Sequence, residues 1–241
     1  KSNGMKVTGP VKWRLWAPIR KPTKEDIIKI GYATSRVKDT LAELFKPALE
    51  SILEKYQNQI EVYFLGYNPP DFKKYQNVFY KPLTLNYEHF LRYFSSAGFD
   101  IGLAPLPDDT FHRSKTNLKV REYGACQIAG IYSDVDVYST TVIHGKTGLL
   151  VKNTSEAWFT AMSSLIENRE LRNSIQEQAY QFAQENFSHV AFNQLWYQQI
   201  CEVLQQPRQK VINYQRVIQI LHPNSPQNSS FHTASEKVGS D

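Results

Sequence analysis

The chain has 241 residues and a net charge of +5, and 41% of its residues are hydrophobic. This length and this hydrophobic fraction are sufficient for one large domain with a packed core. No apolar run approaches the roughly 20 residues that a transmembrane helix requires, and we expect no secretory signal in the first residues. Cys126 and Cys201 lack metal-ligand spacing, so we expect free thiols and a cytoplasmic protein.

Positive charge is concentrated near the amino terminus. Residues 1–30 contain eight lysines or arginines and two acidic residues, and residues 1–26 show no regular periodicity. We predict that residues 1–26 form a basic linker or arm. Such an arm is either simply solvated, or it contacts phosphates, an acidic partner domain or the cytoplasmic face of an anionic membrane. No nucleic-acid-binding motif accompanies the arm, so we expect no nucleic-acid partner.

Strand-like and helical patterns alternate from residue 27 onward. The predicted strands are residues 27–33, 60–65, 77–80, 101–106 and 128–132, with a short strand at the end of 142–151. The predicted helices are residues 40–56, 86–97 and 117–126, followed by C-terminal helices from residue 153, the last of which begins at Ser188.

This alternation is typical of βαβ units. It predicts an α/β fold with a Rossmann-like parallel sheet and helices on both faces, because crossovers between parallel strands are right-handed. We assign residues 27–205 to this domain, with the last helices as a C-terminal cover. The polar composition of residues 206–241 predicts a largely disordered tail. The chain has no G-x-G-x-x-G dinucleotide-binding fingerprint.

Local signals predict where two of the helices begin. Thr40 with Glu43 fits a capping box, and Asn153 with Glu156 resembles a helix cap. Pro47 lies inside the first predicted helix, where it would either kink the first turns or delay the start of the helix.

A polar loop follows the central predicted strand, 101–106. In open parallel sheets, ligands bind at the carboxyl ends of the strands. The next helix offers free N–H groups at its start, and Arg113 and Lys115 come just before it, so the loop is a candidate anion site. Asp108 and Asp109 could divide acid and base roles, but we favour a solvated loop that caps the following turn.

Four motifs in this order are similar to the C-terminal half of glycosyltransferase family 4. They are DIGLAPLPDD, S-K-T-N-L-K-x-x-E-Y-G-A, S-D-V and H-G-K-T-G-L-L-V, and the likeness extends over roughly residues 13–187. The resemblance implies one half of a GT-B architecture and a retaining transferase. It implies a nucleoside-diphosphate sugar as donor and a glycan or lipid-linked acceptor. It also implies an N-terminal acceptor-binding domain, in cis or in trans, and neither a metal nor another cofactor.

The resemblance also implies which residues contact the donor. The diphosphate would be bound by Arg36, Lys38, Lys115, Thr116, Asn117 and Leu118. For Arg36 and Lys38 the alternative is a surface pair, and for Asn117 the alternative is a helix cap. Glu122 matches the family glutamate that binds the ribose hydroxyls, since a carboxylate can accept two hydrogen bonds from a diol.

Two positions depart from the family pattern. Eight residues before Glu122 the family often has another glutamate, which contacts the sugar. Ser114 occupies that position here, and the resemblance implies that it would face the sugar. The usual G-x-P before the next strand is replaced by Gln127-Ile128-Ala129, so that turn must close without glycine. No catalytic residue is assigned. The alternative function is a degenerate, non-catalytic module of the same fold that binds or interacts without chemistry.

Overall fold

The computed structural model describes residues 27–35, 40–84 and 86–205. Six strands form one sheet: β1 (Ile28–Ala33), β2 (Ile60–Leu65), β3 (Val78–Lys81), β4 (Ile101–Ala104), β5 (Ala129–Ser133) and β6 (Leu149–Val151). All neighbouring strands are parallel, in the order β3-β2-β1-β4-β5-β6. The order reverses between β1 and β4, which makes a crevice at their carboxyl ends.

Helices alternate with the strands, as the sequence predicted. They are α1 (Lys46–Lys55), α2 (Tyr87–Ser96), α3 (Thr110–Arg113), α4 (Leu118–Ala125), α5 (Asp136–Ser139), α6 (Ser155–Glu167), α7 (Arg169–Phe187) and α8 (His189–Gln205). The compact unit that contains the sheet ends at Trp196, within α8, and residues 197–205 are the described part of a second unit. Among the described helices, none combines the length and apolarity needed to span a bilayer.

Two apolar clusters cover the two faces of the sheet. Alternate residues along each strand point to opposite faces, so Val62 and Phe64 join one cluster while Leu65 joins the other. Helices α1 and α6 cover the first face, and α2 and α4 cover the second. This arrangement confirms the predicted Rossmann-like fold with helices on both faces.

Helix α7, one of the C-terminal helices, packs closely against α4. A Cβ atom built on Gly124 would lie 2.7 Å from the carbonyl oxygen of Ala179 and 2.8 Å from the Cβ of Ala183. Only glycine fits there, because real side chains do not approach so closely. Helix α7 therefore covers α4, as predicted, and fixes the position of that helix.

The first helix begins later than predicted. Residues 40–44 form a 3-10 helix, and the α-helix starts at Lys46 with Pro47 in its first turn. Proline is tolerated there because first-turn N–H groups have no partner within the helix. The predicted capping box does not start this helix: its cap residue, Phe45, makes no side-chain capping bond, and Glu43 instead accepts from Lys46 at 2.6 Å.

The cap predicted at Asn153 is also wrong by one residue. Thr154 is the N-cap of α6, and its hydroxyl accepts from the Ala157 amide at 3.3 Å. Asn86 and Ser188, the first residues of two other predicted helices, do act as caps, since each side chain accepts from the amide three residues later. The predicted arm, residues 1–26, and the predicted tail, residues 206–241, lie outside the described residues.

Candidate functional site

A cavity of about 930 Å³ lies at the carboxyl ends of β1 and β4, where the strand order reverses. Small-molecule sites in proteins enclose roughly 300–1,000 Å³, and this volume is within that range. Apolar and aromatic residues form most of its wall: Tyr32, Leu41, Leu65, Leu83, Tyr87, Phe90, Tyr93, Leu103, Leu106 and Tyr138. Polar and charged residues also line it: Thr34, Ser35, Lys81, Thr84, His89, Ser114, Lys115, Thr116, Lys119 and Glu122.

Two polar side chains fix the direction in which the chain leaves β4. The Leu106 amide donates to Ser133 Oγ at 2.8 Å, and Asn153 Nδ2 donates to the Leu106 carbonyl at 2.9 Å. Ser133 Oγ in turn donates to Asn153 Oδ1 at 2.6 Å. Asn153 is therefore used to hold this loop rather than to cap α6.

The two aspartates that follow serve the loop, which confirms the capping interpretation. Asp109 Oδ1 accepts from the His112 amide at 2.8 Å and so caps α3. Asp108 accepts from Arg113 Nε and Nη2 at 2.7 and 3.0 Å. The hydrogen bond from the His112 amide lowers the pKa of the Asp109 carboxyl, and that from Arg113 lowers the pKa of Asp108. Neither aspartate lines the cavity.

Four residues of the predicted donor loop do line the cavity, namely Ser114, Lys115, Thr116 and Leu118. The Ser114 hydroxyl donates to the Phe111 carbonyl at 2.6 Å, which ties the loop together. The Lys115 ammonium lies 5.4 Å from the centroid of the exposed Phe111 ring. The start of α4 and one lysine are thus brought together as predicted.

Asn117 is placed differently from its neighbours. It is the N-cap residue of α4, but its side chain makes no capping bond, and it is not among the residues that line the cavity. Its amide Nδ2 donates to Thr141 Oγ1 at 3.0 Å. The side chain therefore joins α4 to the segment after α5.

Glu122 lies in the cavity wall and is nearly buried, with 3% of its side chain exposed. Lys119 Nζ lies 2.7 Å from Glu122 Oε2, and the Tyr87 hydroxyl lies 3.4 Å from Oε1. Burial and the negative charge of Glu122 raise the pKa of Tyr87 to about 12. At neutral pH Tyr87 is therefore a hydrogen-bond donor toward this carboxylate.

Two predicted contacts lie outside the residues that the structure describes, and two residues of the site were not predicted. Arg36 and Lys38 fall in the segment 36–39, outside the described residues. Among the described residues, no group of three or more histidine, cysteine, aspartate or glutamate side chains could hold a metal ion. The prediction missed Lys119 and Tyr87. The three-residue spacing from Lys119 to Glu122 was a usable signal, because such residues are neighbours on a helix.

At the turn before β5, where the family usually has glycine, this chain has a residue in a strained backbone conformation. Gln127 lies in the connection from α4 to β5 and has a φ of 54°, in the left-handed region that favours glycine. The turn thus closes without glycine, as the sequence required.

Residues 117–182 match the family of glycosyl transferases group 1. The matched segment begins at the start of α4, includes Glu122 and ends within α7. This match agrees with the enzyme class that the motifs predicted. A search of curated proteins finds no match.

Solved structures share the fold at low sequence identity. The C-terminal domain of a glycosyl transferase group 1 family protein (LpcC) from Francisella tularensis is 17% identical, with a TM-score of 0.51, over 76% of this chain and 97% of that domain. A glycosyltransferase from Rickettsia africae is 16% identical, with a TM-score of 0.62, over 83% of this chain and 57% of its own.

A third structure is Anabaena Alr3699/HepE in complex with UDP. It is 13% identical, with a TM-score of 0.57, over 73% of this chain and 49% of its own. The chain thus spans about half the length of the Rickettsia and Anabaena proteins. The described chain has the fold of a GT-B C-terminal domain, and residues 117–182 are similar to glycosyl transferases group 1.

Proposed function

We propose that this chain is the donor-binding half of a retaining glycosyltransferase of family 4. It transfers a sugar from a nucleoside-diphosphate donor to a glycan or lipid-linked acceptor. The observation that carries the proposal is the cavity at the strand switch point, where Lys115 and the start of α4 share one space with the carboxylate of Glu122. The UDP complex of the Anabaena structure supports a nucleoside diphosphate as the ligand class.

The chemistry of the lining residues fits two parts of such a donor, the neutral ribose and the charged diphosphate. Glu122 accepts hydrogen bonds from the vicinal ribose hydroxyls. Lys115 and the backbone amides at the start of α4, from Thr116 to Leu118, bind the diphosphate, because a helix start attracts anions. Arg36 and Lys38 remain proposed diphosphate contacts. These cationic groups would stabilise the charge that develops on the leaving diphosphate, and the donor phosphate itself would assist the reaction.

The acceptor would be held by a second domain, in cis or in trans. The proposal is supported by the length of the relatives, since this chain spans about half of the Rickettsia and Anabaena proteins. We also propose a cytoplasmic protein whose residues 1–30 contact the anionic face of a membrane. Cosedimentation with anionic and neutral vesicles tests this contact. Binding to anionic vesicles should be lost when the basic residues of 1–30 are replaced by glutamine.

One observation favours a second candidate, a non-catalytic module. Ser114 stands where relatives often have a glutamate, and its hydroxyl is used within the loop by the Phe111 carbonyl. Such a module would bind no nucleotide sugar. The open cavity around Lys115 and Glu122 favours the first candidate.

Calorimetric titration with UDP, GDP and their sugar conjugates tests the proposal. We expect one nucleotide to bind, and expect Glu122→Gln and Lys115→Met each to weaken that binding about tenfold, the contribution of a hydrogen bond to a charged group. Lys152→Met is the matched control, since Lys152 is exposed and does not line the cavity. Absence of binding at millimolar concentration would favour the non-catalytic module.

A further inference from the structure

A lysine accompanies the buried carboxylate of the cavity wall. Lys119 and Glu122 lie three residues apart on α4, and both line the cavity. Lys119 Nζ is 2.7 Å from Glu122 Oε2, and the exposed fractions of the two side chains are 23% and 3%. A carboxylate buried to this degree requires a charged or hydrogen-bonded partner. Lys119 supplies it from the same helix face.

The ammonium group of Lys119 is itself held by aromatic rings. Its nitrogen lies 5.9 Å from the ring centroids of Phe90 and Phe94 on α2, and 5.8 Å from that of Tyr123 on α4. These distances are within the range of cation–π attraction, about 6 Å. The Phe90 and Phe94 rings are stacked on each other, with centroids 5.4 Å apart. Two helices therefore define where the lysine nitrogen lies.

The orientation of Glu122 leaves acceptor capacity on both oxygens. Lys119 contacts Oε2 at 2.7 Å, and the Tyr87 hydroxyl approaches Oε1 at 3.4 Å. Each carboxylate oxygen can accept more than one hydrogen bond. A vicinal diol can thus bind both oxygens while Lys119 stays in place.

We propose that Lys119 is a positioning residue for Glu122, which holds the carboxylate in the orientation that accepts the two ribose hydroxyls. This inference rests on the proposed function and deepens it. Lys119 acts through Glu122 and makes recognition of the ribose, rather than of the phosphates, depend on the lysine charge. A lysine that only contacted phosphate would affect every nucleotide equally.

The test compares the preferred nucleoside diphosphate with its 2′,3′-dideoxy analogue. For the natural chain we expect the hydroxyls to improve affinity about tenfold, as expected for hydrogen bonds to a charged acceptor. In Lys119→Met, which keeps the length and apolar stem of the side chain, this preference should fall to less than about threefold. Lys119→Arg keeps the charge and should retain most of the preference.

A matched control exists elsewhere in the chain. Lys55 pairs with Glu167 at 3.0 Å and lies over the rings of Tyr56 and Phe159, at 4.8 and 5.6 Å from their centroids. None of these residues lines the cavity. Lys55→Met therefore removes a lysine–glutamate pair with aromatic contacts, more exposed than the pair in the cavity wall, and should leave the hydroxyl preference unchanged.

The outcomes separate this inference from the function on which it rests. An equal loss of affinity for both ligands in Lys119→Met would make Lys119 a phosphate contact and overturn the inference. An unchanged preference in Lys119→Met would also overturn it. If the natural chain binds the nucleotide without any hydroxyl preference, Glu122 does not recognise the ribose hydroxyls. The positioning role of Lys119 is then overturned as well, while nucleotide binding itself stands. Circular dichroism of each variant confirms folding, and Lys119→Gln replaces any variant that does not fold.

Discussion

Two ion pairs within fifteen residues of each other differ in their surroundings. Asp108 and Arg113 form a pair at 2.7 Å in the loop after β4, with 54% and 53% of their side chains exposed. Lys119 and Glu122 form a pair at the same distance in the cavity wall, with 23% and 3% exposed. An equal distance between the charged atoms does not imply an equal contribution to stability. Exposed pairs contribute little because water screens them, whereas a buried carboxylate depends on its partner.

The largest expected effect comes from displacing the wall helix itself. Gly124→Val would force a side chain into the contact between α4 and α7, where a Cβ atom would lie 2.7 Å from the Ala179 carbonyl oxygen. We expect a loss of about 3 kcal/mol in the free energy of unfolding, because the backbone must shift. Urea unfolding measures this loss. A midpoint equal to that of the natural chain would contradict the tight contact.

The buried pair should also matter for stability. Lys119→Met leaves Glu122 in the wall without its cation, and we expect a loss of about 2 kcal/mol, less than for a fully enclosed pair because the cavity admits water. Urea unfolding measures it, and Lys119→Met with Glu122→Gln should recover part of the loss. Equal stability of the natural chain and the single variant would show that the pair behaves as an exposed one.

The cap of α3 gives a smaller effect that depends on pH. The folded-state pKa of Asp109 is lowered by the hydrogen bond from the His112 amide. Its contribution is therefore present above the ordinary aspartate value, about 3.9, and is lost as pH falls through the lower folded value. Asp109→Asn should lower the thermal midpoint at pH 6, and the difference should shrink toward pH 3. A difference that persists unchanged at pH 3 would refute the linkage.

The exposed pair of the loop should give the smallest effect. Arg113→Met removes the partner of Asp108, but both side chains are about half exposed. We expect the thermal midpoint to stay within measurement error of the natural chain, because solvent already screens the pair. Differential scanning calorimetry in parallel with Lys119→Met makes the contrast direct. A similar loss in both variants would abolish the distinction between wall and loop.

The sequence predicted the fold well because strands and helices alternate in local patterns. The errors arose at residues whose local pattern predicted one role but whose side chain or backbone serves another in the structure. Strand 101–106 ends at Ala104, since Pro105 has no N–H for the ladder. Asn153 looked like a cap, but it holds the loop at Leu106 and Ser133, which are distant in sequence.

The site was predicted less completely for a similar reason. Lys115, Ser114 and Glu122 follow from one ordered motif, and all three line the cavity. The residues that came from α2, Tyr87 and Phe90, reach the cavity only through the order of strands in the sheet. Their roles could not be read from local spacing, because aromatic residues on a helix are typical of any core.

The most direct test of the central claim, that this cavity binds the donor nucleotide, is an NMR titration of the isotope-labelled chain with a nucleoside diphosphate. The account predicts saturable shift changes in the amides of Lys115, Thr116, Leu118 and Glu122, which line the cavity. It also predicts that the changes require far higher ligand concentration in Glu122→Gln. Shift changes that map away from α4, or none at millimolar nucleotide, would contradict the account.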